Sequence, residues 1–150
     1  MIEKIYIPTA KRENNQITYE NMPEELQKRV IMVLRPEDRP LYKYDCEYLV
    51  VPDEMVGTWT ELAQTRKLIH KHAGNIKYAM IDDDIVINRR NAKYWTGVSN
   101  MDKSRRKATK EEISLMYEQI SKWLDEPDIG IVGLSAPDVP PSNSEYHDTT

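Results

Sequence analysis

A chain of 150 residues that is 39% hydrophobic and 31% charged can bury one ordinary core, and its charges are too evenly mixed in sign for wholesale disorder. With 25 acidic against 21 basic residues the net charge is -4, which excludes a polycation built to coat nucleic acid and makes any basic patch a local one. The single cysteine, Cys46, excludes an internal disulfide framework and a Cys-rich zinc site; with no apolar leader and no apolar run of about 18 residues, the expectation is a soluble, cytoplasmic, non-membrane protein.

Ile5, Tyr6 and Ile7, ended by Pro8, predict a first strand that opens into the polar stretch Lys11 to Gln16. Pro23 ahead of Glu24 to Arg29, acids before bases, predicts a short helix. Val30 to Leu34, closed by Arg35-Pro36, and Tyr48 to Val51, closed by Pro52, are of the length and composition of buried strands. Thr58 to His72 predicts a helix in which Leu62, Ala63, Arg66, Leu68 and Ile69 set the rhythm, Thr58 or Thr60 caps the start and Gly74 stops the end. Tyr78 to Ile81 predicts a buried strand running straight into Asp82-Asp83-Asp84.

The composition then changes. Between Ile87 and Lys110 eight basic residues face only Asp102, a local charge of +7 that leaves -11 on the remainder. Thr109 and Glu112 form a capping box for a helix carrying Ile113, Met116, Tyr117, Ile120 and Leu124, and Ile129 to Leu134 predicts a further strand. Ser135 to Thr150, with three prolines, reads as a loop or tail, which makes residues 1–135 the domain and 136–150 its appendage. The alternation of strands and helices predicts an α/β fold: a mostly parallel sheet with helices on both faces and a ligand crevice at the strands' carboxyl ends.

Three consecutive carboxylates at a strand end repel one another, and a divalent cation or neighbouring Arg and Lys relieves that repulsion. Strand alternation turns Asp82 and Asp84 to the same side, the geometry for a hard metal that also binds phosphate oxygens. The bland alternative is a solvated turn paired with Arg89 or Arg90. Pro8, Thr9 and Arg12 after the first strand, and Arg66 in the helix before the acids, offer backbone donors and forked contacts for phosphate or a nucleobase edge. Taken singly, Arg12 is a surface residue and Arg66 a partner for Glu61 or Asp83. Arg89, Arg90 and Lys93 interleave with Tyr94 and Trp95 and continue into Lys103 to Lys107, including Arg105 and Arg106. Such a mixture suits a nucleic-acid backbone with an exposed base, a lid over a diphosphate, or a plain solvated loop. His70 and His72, two apart on a helix, splay too far to make a zinc pair.

Taken in order, Ile5-Tyr6-Ile7-Pro8-Thr9 with Arg12, Leu62-Ala63 with Arg66 and Leu68-Ile69, and Tyr78 to Ile81 leading into Asp82-Asp83-Asp84 resemble the GT-A nucleotide-sugar glycosyltransferases over residues 2–90. Gly130 to Ser135 looks like that family's later strand beneath the acceptor site. The resemblance implies a metal-dependent transfer of a sugar from a nucleoside-diphosphate donor, UDP-type favoured. Pro8, Thr9, Arg12, Arg66, Asp82 and Asp83 would bind the donor nucleotide, and Asp82 and Asp84 would hold Mn²⁺ or Mg²⁺. It is similar too to small bacteriophage glycosyltransferases, some of which modify hydroxymethylated DNA bases. That likeness implies a DNA acceptor, contacts from Arg89, Arg90, Tyr94, Trp95, Arg105, Arg106 and Lys107, and a host-cytoplasmic setting.

The chain departs from the pattern in two ways. It is short for a GT-A domain, and after the late strand it offers only Asp138, Glu145 and Asp148 as an inverting base, of which Asp138 is the candidate. These departures fit a trimmed or minimal version, a retaining mechanism, or lost activity; a catalytically inactive nucleotide-binding or assembly module is the alternative function. A third reading takes Asp82, Asp84 and Val86 as the start of a haloacid-dehalogenase-type phosphatase, but that family begins with this strand and finishes its site with a later Lys and acidic pair that are missing here.

Overall fold

The computed structural model describes residues 1–90 and 105–134. Its centre is strand β1 (Lys4–Pro8), whose alternation sends Ile5 and Ile7 into one core and Tyr6 into the other, all three fully buried. Strand β2 (Val30–Leu34) is likewise buried on both faces, as a continuous apolar run in a covered parallel sheet must be. With β3 (Glu47–Val50) and β4 (Tyr78–Met80) they form an all-parallel sheet of order β3-β2-β1-β4, in which Ile5 lies opposite Val30 on one side and Ala79 on the other.

Helices cover both faces, as expected. Helices α1 (Ile17–Asn21), α2 (Glu24–Gln27) and α4 (Lys110–Trp123) bring Tyr19, Met22, Leu26, Ile113 and Tyr117 onto Ile5, Ile7 and Met32. Helix α3 (Glu61–Ala73) lays Ile69 and Ala73 on Tyr6, Ile31 and Val33. Gly74 ends α3 at φ 62°, a left-handed geometry that costs glycine nothing. The capping box of α4 is present: the Glu112 N–H donates to Thr109 Oγ1 at 3.3 Å, and the Thr109 N–H donates to Glu112 Oε2 at 3.0 Å.

Four sequence expectations need correction. β3 and β4, expected as buried strands over Tyr48 to Val51 and Tyr78 to Ile81, are the two edges of the sheet and only half-buried, with Glu47 and Val50 exposed. Residues 129–134 form no strand: two glycines weaken the segment, β4 offers a ladder of only three residues, and Ile131 is 90% exposed. Leu62 and Ala63 are exposed, because the row that meets the sheet is Thr65, Ile69 and Ala73. A two-stranded antiparallel ribbon, β5 (Asn88–Arg90) with β6 (Arg105–Lys107), occupies sequence that carries no apolar alternation, and it pairs Arg89 with Arg106.

Tyr117 supplies a pH test of this packing. Burial pushes its hydroxyl up from the ordinary 10 to about 12, so the folded chain keeps a proton that the unfolded chain gives up. That contribution is whole below pH 10 and fades as pH rises toward 12. We expect stability to fall through this window, and Tyr117→Phe to flatten the alkaline limb in urea titrations taken across it.

Candidate active site at the sheet's switch point

The chain steps outward from β1 to β2 and β3, then returns to the opposite side of β1 with β4. The order thus reverses between β1 and β4, and ligands of open α/β sheets bind outside the carboxyl ends at such a point. Here those ends are Pro8-Thr9 and Asp82-Asp83-Asp84. The first turn of α1 pins the acidic turn: the Thr18 hydroxyl donates to the Asp82 carbonyl at 2.6 Å and accepts from the Ile85 N–H at 2.8 Å, while the Thr18 N–H donates to the Asp83 carbonyl at 3.0 Å.

The three carboxylates are not equivalent. β4 ends at Met80, so the acids sit in the turn beyond it and strand alternation does not govern them; Asp82 and Asp84 are exposed, whereas Asp83 is 8% exposed. A buried carboxylate requires partners, and Asp83 has them. The Thr9 hydroxyl donates to its Oδ2 at 2.6 Å, and Arg12 Nη1 stands 3.6 Å from its Oδ1. With its proton given to Asp83, Thr9 Oγ1 accepts from Gln16 Nε2 at 2.8 Å and from the Tyr42 hydroxyl at 3.0 Å. The Tyr42 oxygen in turn accepts the Arg12 N–H at 3.0 Å, and Gln16 Nε2 also donates to the Arg12 carbonyl at 3.0 Å. This network holds the β1–α1 loop in one shape, including Lys11 at φ 55°, an uncommon conformation for a residue with a Cβ.

Arg12 also reaches Asp84, Nη2 to Oδ2 at 3.3 Å. One guanidinium against three carboxylates leaves two negative charges unbalanced, the charge of one divalent cation. The donor set suits such an ion, because Asp82 and Asp84 are exposed carboxylates lining one cavity and offer hard oxygens. It is incomplete, since among the described residues no three His, Cys, Asp or Glu side chains converge to hold a metal. The remaining positions would fall to substrate oxygens and water.

A cavity of about 590 Å³ opens here along the whole edge of the sheet. The end at β1 and β4 is lined by Pro8, Thr9, Arg12 and the acidic turn; the end at β2 and β3 is lined by Arg35, Val51, Trp59, Glu61, Leu62 and Thr65. Pro8, Thr9, Arg12, Asp82, Asp83 and Asp84 are therefore brought together as the sequence suggested. Arg66 is not among them. One position past the buried Thr65, it is exposed and borders a second cavity, of about 770 Å³, between β4 and residues 129–134, which Asp82 lines as well. Its two expected partners are engaged elsewhere, Glu61 by Arg35 and Asp83 by Arg12.

The basic stretch is only partly available for an acceptor. Glu112 takes Arg106 Nη2 on Oε1 at 2.6 Å, Arg106 Nη1 on Oε2 at 2.7 Å, and also Arg89. Those arginines, Arg106 foremost, with the Thr109 N–H, hold the Glu112 carboxyl well below the usual carboxylate range. The Lys107 ammonium is exposed and bonds Asn21 Oδ1. Arg90 lies opposite Arg105 in the ribbon; Tyr94, Trp95 and the candidate base Asp138 lie outside the described residues. His72 and His70 go to separate tyrosines, Nδ1 to the Tyr6 hydroxyl at 2.8 Å and Nδ1 to the Tyr78 hydroxyl at 3.2 Å. Gln16, Tyr42, Arg35 and Trp59 were missed by sequence reasoning: Tyr42 and Arg35 act through contacts across 26 to 33 residues, and Gln16 through bonds within the β1–α1 loop that no motif announces.

A family model described as TET-Associated Glycosyltransferase matches residues 3–138. No curated protein and no solved structure matches the chain.

Proposed function

The chain belongs to the TET-associated glycosyltransferase family and is a glycosyltransferase, and on that premise we propose that it transfers a sugar from a nucleoside-diphosphate donor, with a divalent cation, to a hydroxymethylated base in DNA. The observation that carries the donor side is the acidic turn at the switch point: Asp82 and Asp84 exposed to a cavity, Asp83 locked to Thr9, and two charges left over after Arg12. Asp82 and Asp84 would hold Mn²⁺ or Mg²⁺, which when bound neutralises charge on the departing diphosphate. Arg12, fixed through its backbone by Tyr42 and Gln16, supplies a forked cation beside the same phosphates. In the transfer the bond from the sugar's anomeric carbon to phosphate oxygen breaks, a bond from that carbon to the acceptor oxygen forms, and the hydroxyl proton passes to a base for which Asp138 is the candidate.

The local +7 supports the acceptor, because it gathers basic charge after the acidic turn in a chain whose remainder repels polyanions. No described helix is long and apolar enough to cross a membrane.

Thermal-shift titration with UDP, GDP, ADP and CDP, each with and without Mn²⁺, tests the donor reading. Native-state binding raises the melting temperature with ligand concentration, so even a weak site registers. We expect at least one nucleotide to stabilise the chain more with Mn²⁺ present; no stabilisation by any of them would leave the inactive-module alternative.

A further inference from the structure

The end of the cavity away from the acids is built of different chemistry. Trp59, on the turn ahead of α3, lines it and is 98% exposed. Such exposure is rare for so large an apolar ring, yet the turn that presents it is rigidly made. Gly57 takes φ 73°, its N–H donates to Glu61 Oε2 at 2.8 Å, and the Thr58 hydroxyl donates to the Met55 carbonyl at 2.9 Å. The Glu61 N–H closes the turn on the Thr58 carbonyl at 3.1 Å.

Beside it, Arg35 at the end of β2 forks onto Glu61, Nε to Oε1 at 2.7 Å and Nη2 to Oε2 at 2.9 Å. Both carboxylate oxygens are then occupied, Oε2 doubly. The guanidinium keeps N–H groups in hand, because its Nη1 is 3.9 Å from Glu37 Oε1, beyond hydrogen-bond reach. This end therefore presents an aromatic face and spare N–H donors, with the neighbouring carboxylate already engaged.

We infer that Trp59 is the platform on which the donor's nucleobase stacks, and that Arg35, braced by Glu61, reads the base edge and favours an exocyclic carbonyl over an exocyclic amino group. The assignment rests on the donor reading above: with the diphosphate at Asp82 to Asp84, a nucleoside extends along the cavity toward β2 and β3. A carbonyl at the position of uracil O4 or guanine O6 accepts from the spare N–H groups. The amino group of cytosine or adenine meets donors there instead, and an unmade bond in a desolvated site is costly. The backbone turn that carries Trp59 is already held, so stacking orders only the two side-chain torsions of the indole.

Calorimetric titration of the full chain in Mn²⁺ with UDP, GDP, CDP, ADP and inorganic pyrophosphate tests this. UDP and GDP are expected to bind about tenfold tighter than CDP and ADP. Trp59→Ala should weaken UDP binding by about 5- to 100-fold, the equivalent of losing one base–aromatic stack, with pyrophosphate binding unchanged and Trp59→Phe restoring most of the loss. Arg35→Lys, which cannot fork, should level the four nucleotides. Trp59 is so exposed that its substitution leaves the fold intact, which the melting temperature verifies. If the native chain binds UDP in a Mn²⁺-dependent way and Trp59→Ala binds it equally well, this assignment fails and the donor reading stands. If the native chain binds none of the nucleotides, both fail.

Discussion

Asp84→Asn, and more completely the pair Asp82→Asn with Asp84→Asn, is expected to remove the Mn²⁺ dependence of nucleotide binding and to cut sugar transfer by about a hundredfold or more. Neutralising a departing diphosphate is worth several kcal/mol of transition-state stabilisation, and each ~1.4 kcal/mol is a factor of ten in rate. The fold should survive both changes, since Asp82 and Asp84 are exposed and their loss relieves like-charge repulsion. Asp83 separates the two roles. It is buried and receives the Thr9 hydroxyl, so Asp83→Ala leaves that network unpaired and should cost about 1–3 kcal/mol of stability. Urea unfolding beside the transfer assay distinguishes them: Asp84→Asn stable and inactive, Asp83→Ala destabilised. Equal destabilisation by both would contradict the division of labour.

The second large effect concerns the acceptor. Reversing Arg105 and Lys107 to Glu should weaken DNA binding at least about tenfold and lower the salt slope by roughly two, because each lost phosphate contact removes about one released counterion. Arg106, which stands between them in β6, is deliberately left in place. Its guanidinium is committed to Glu112 and through it to the cap of α4, so its reversal would confound binding with folding. Nucleotide binding should be unchanged in this variant, since the acidic turn and Arg12 are untouched. An affinity for duplex or single-stranded DNA that is equal in native and reversed chains, or that ignores salt, would remove the basic ribbon from the account.

The elements legible in the sequence were those whose signal is local. Ile5-Tyr6-Ile7 and Val30 to Leu34 could be nothing but buried strands, and the Thr109–Glu112 box announced α4. The acid triplet was legible as a polar exit from β4, but nothing in it marked the middle acid as the structural one. That depends on Thr9, Gln16 and Tyr42 arriving from other elements. The basic ribbon was unreadable because its pairing is carried by charged residues without an apolar face, and residues 129–134 misled because apolar content alone does not supply a partner strand. The glycosyltransferase reading, implied by the ordered resemblance of Ile5 to Thr9, Leu62 to Ile69 and Tyr78 to Asp84, is borne out by the family match.

The central claim is best tested by incubating the native chain with UDP-glucose, UDP-galactose, UDP-N-acetylglucosamine and GDP-mannose in turn, with Mn²⁺ and an oligonucleotide containing 5-hydroxymethylcytosine, and weighing the oligonucleotide by mass spectrometry. The account predicts a mass gain of one sugar residue with at least one donor, lost on chelation and in the Asp82→Asn, Asp84→Asn chain. No mass gain with any donor, or a gain that persists in that chain, would contradict it.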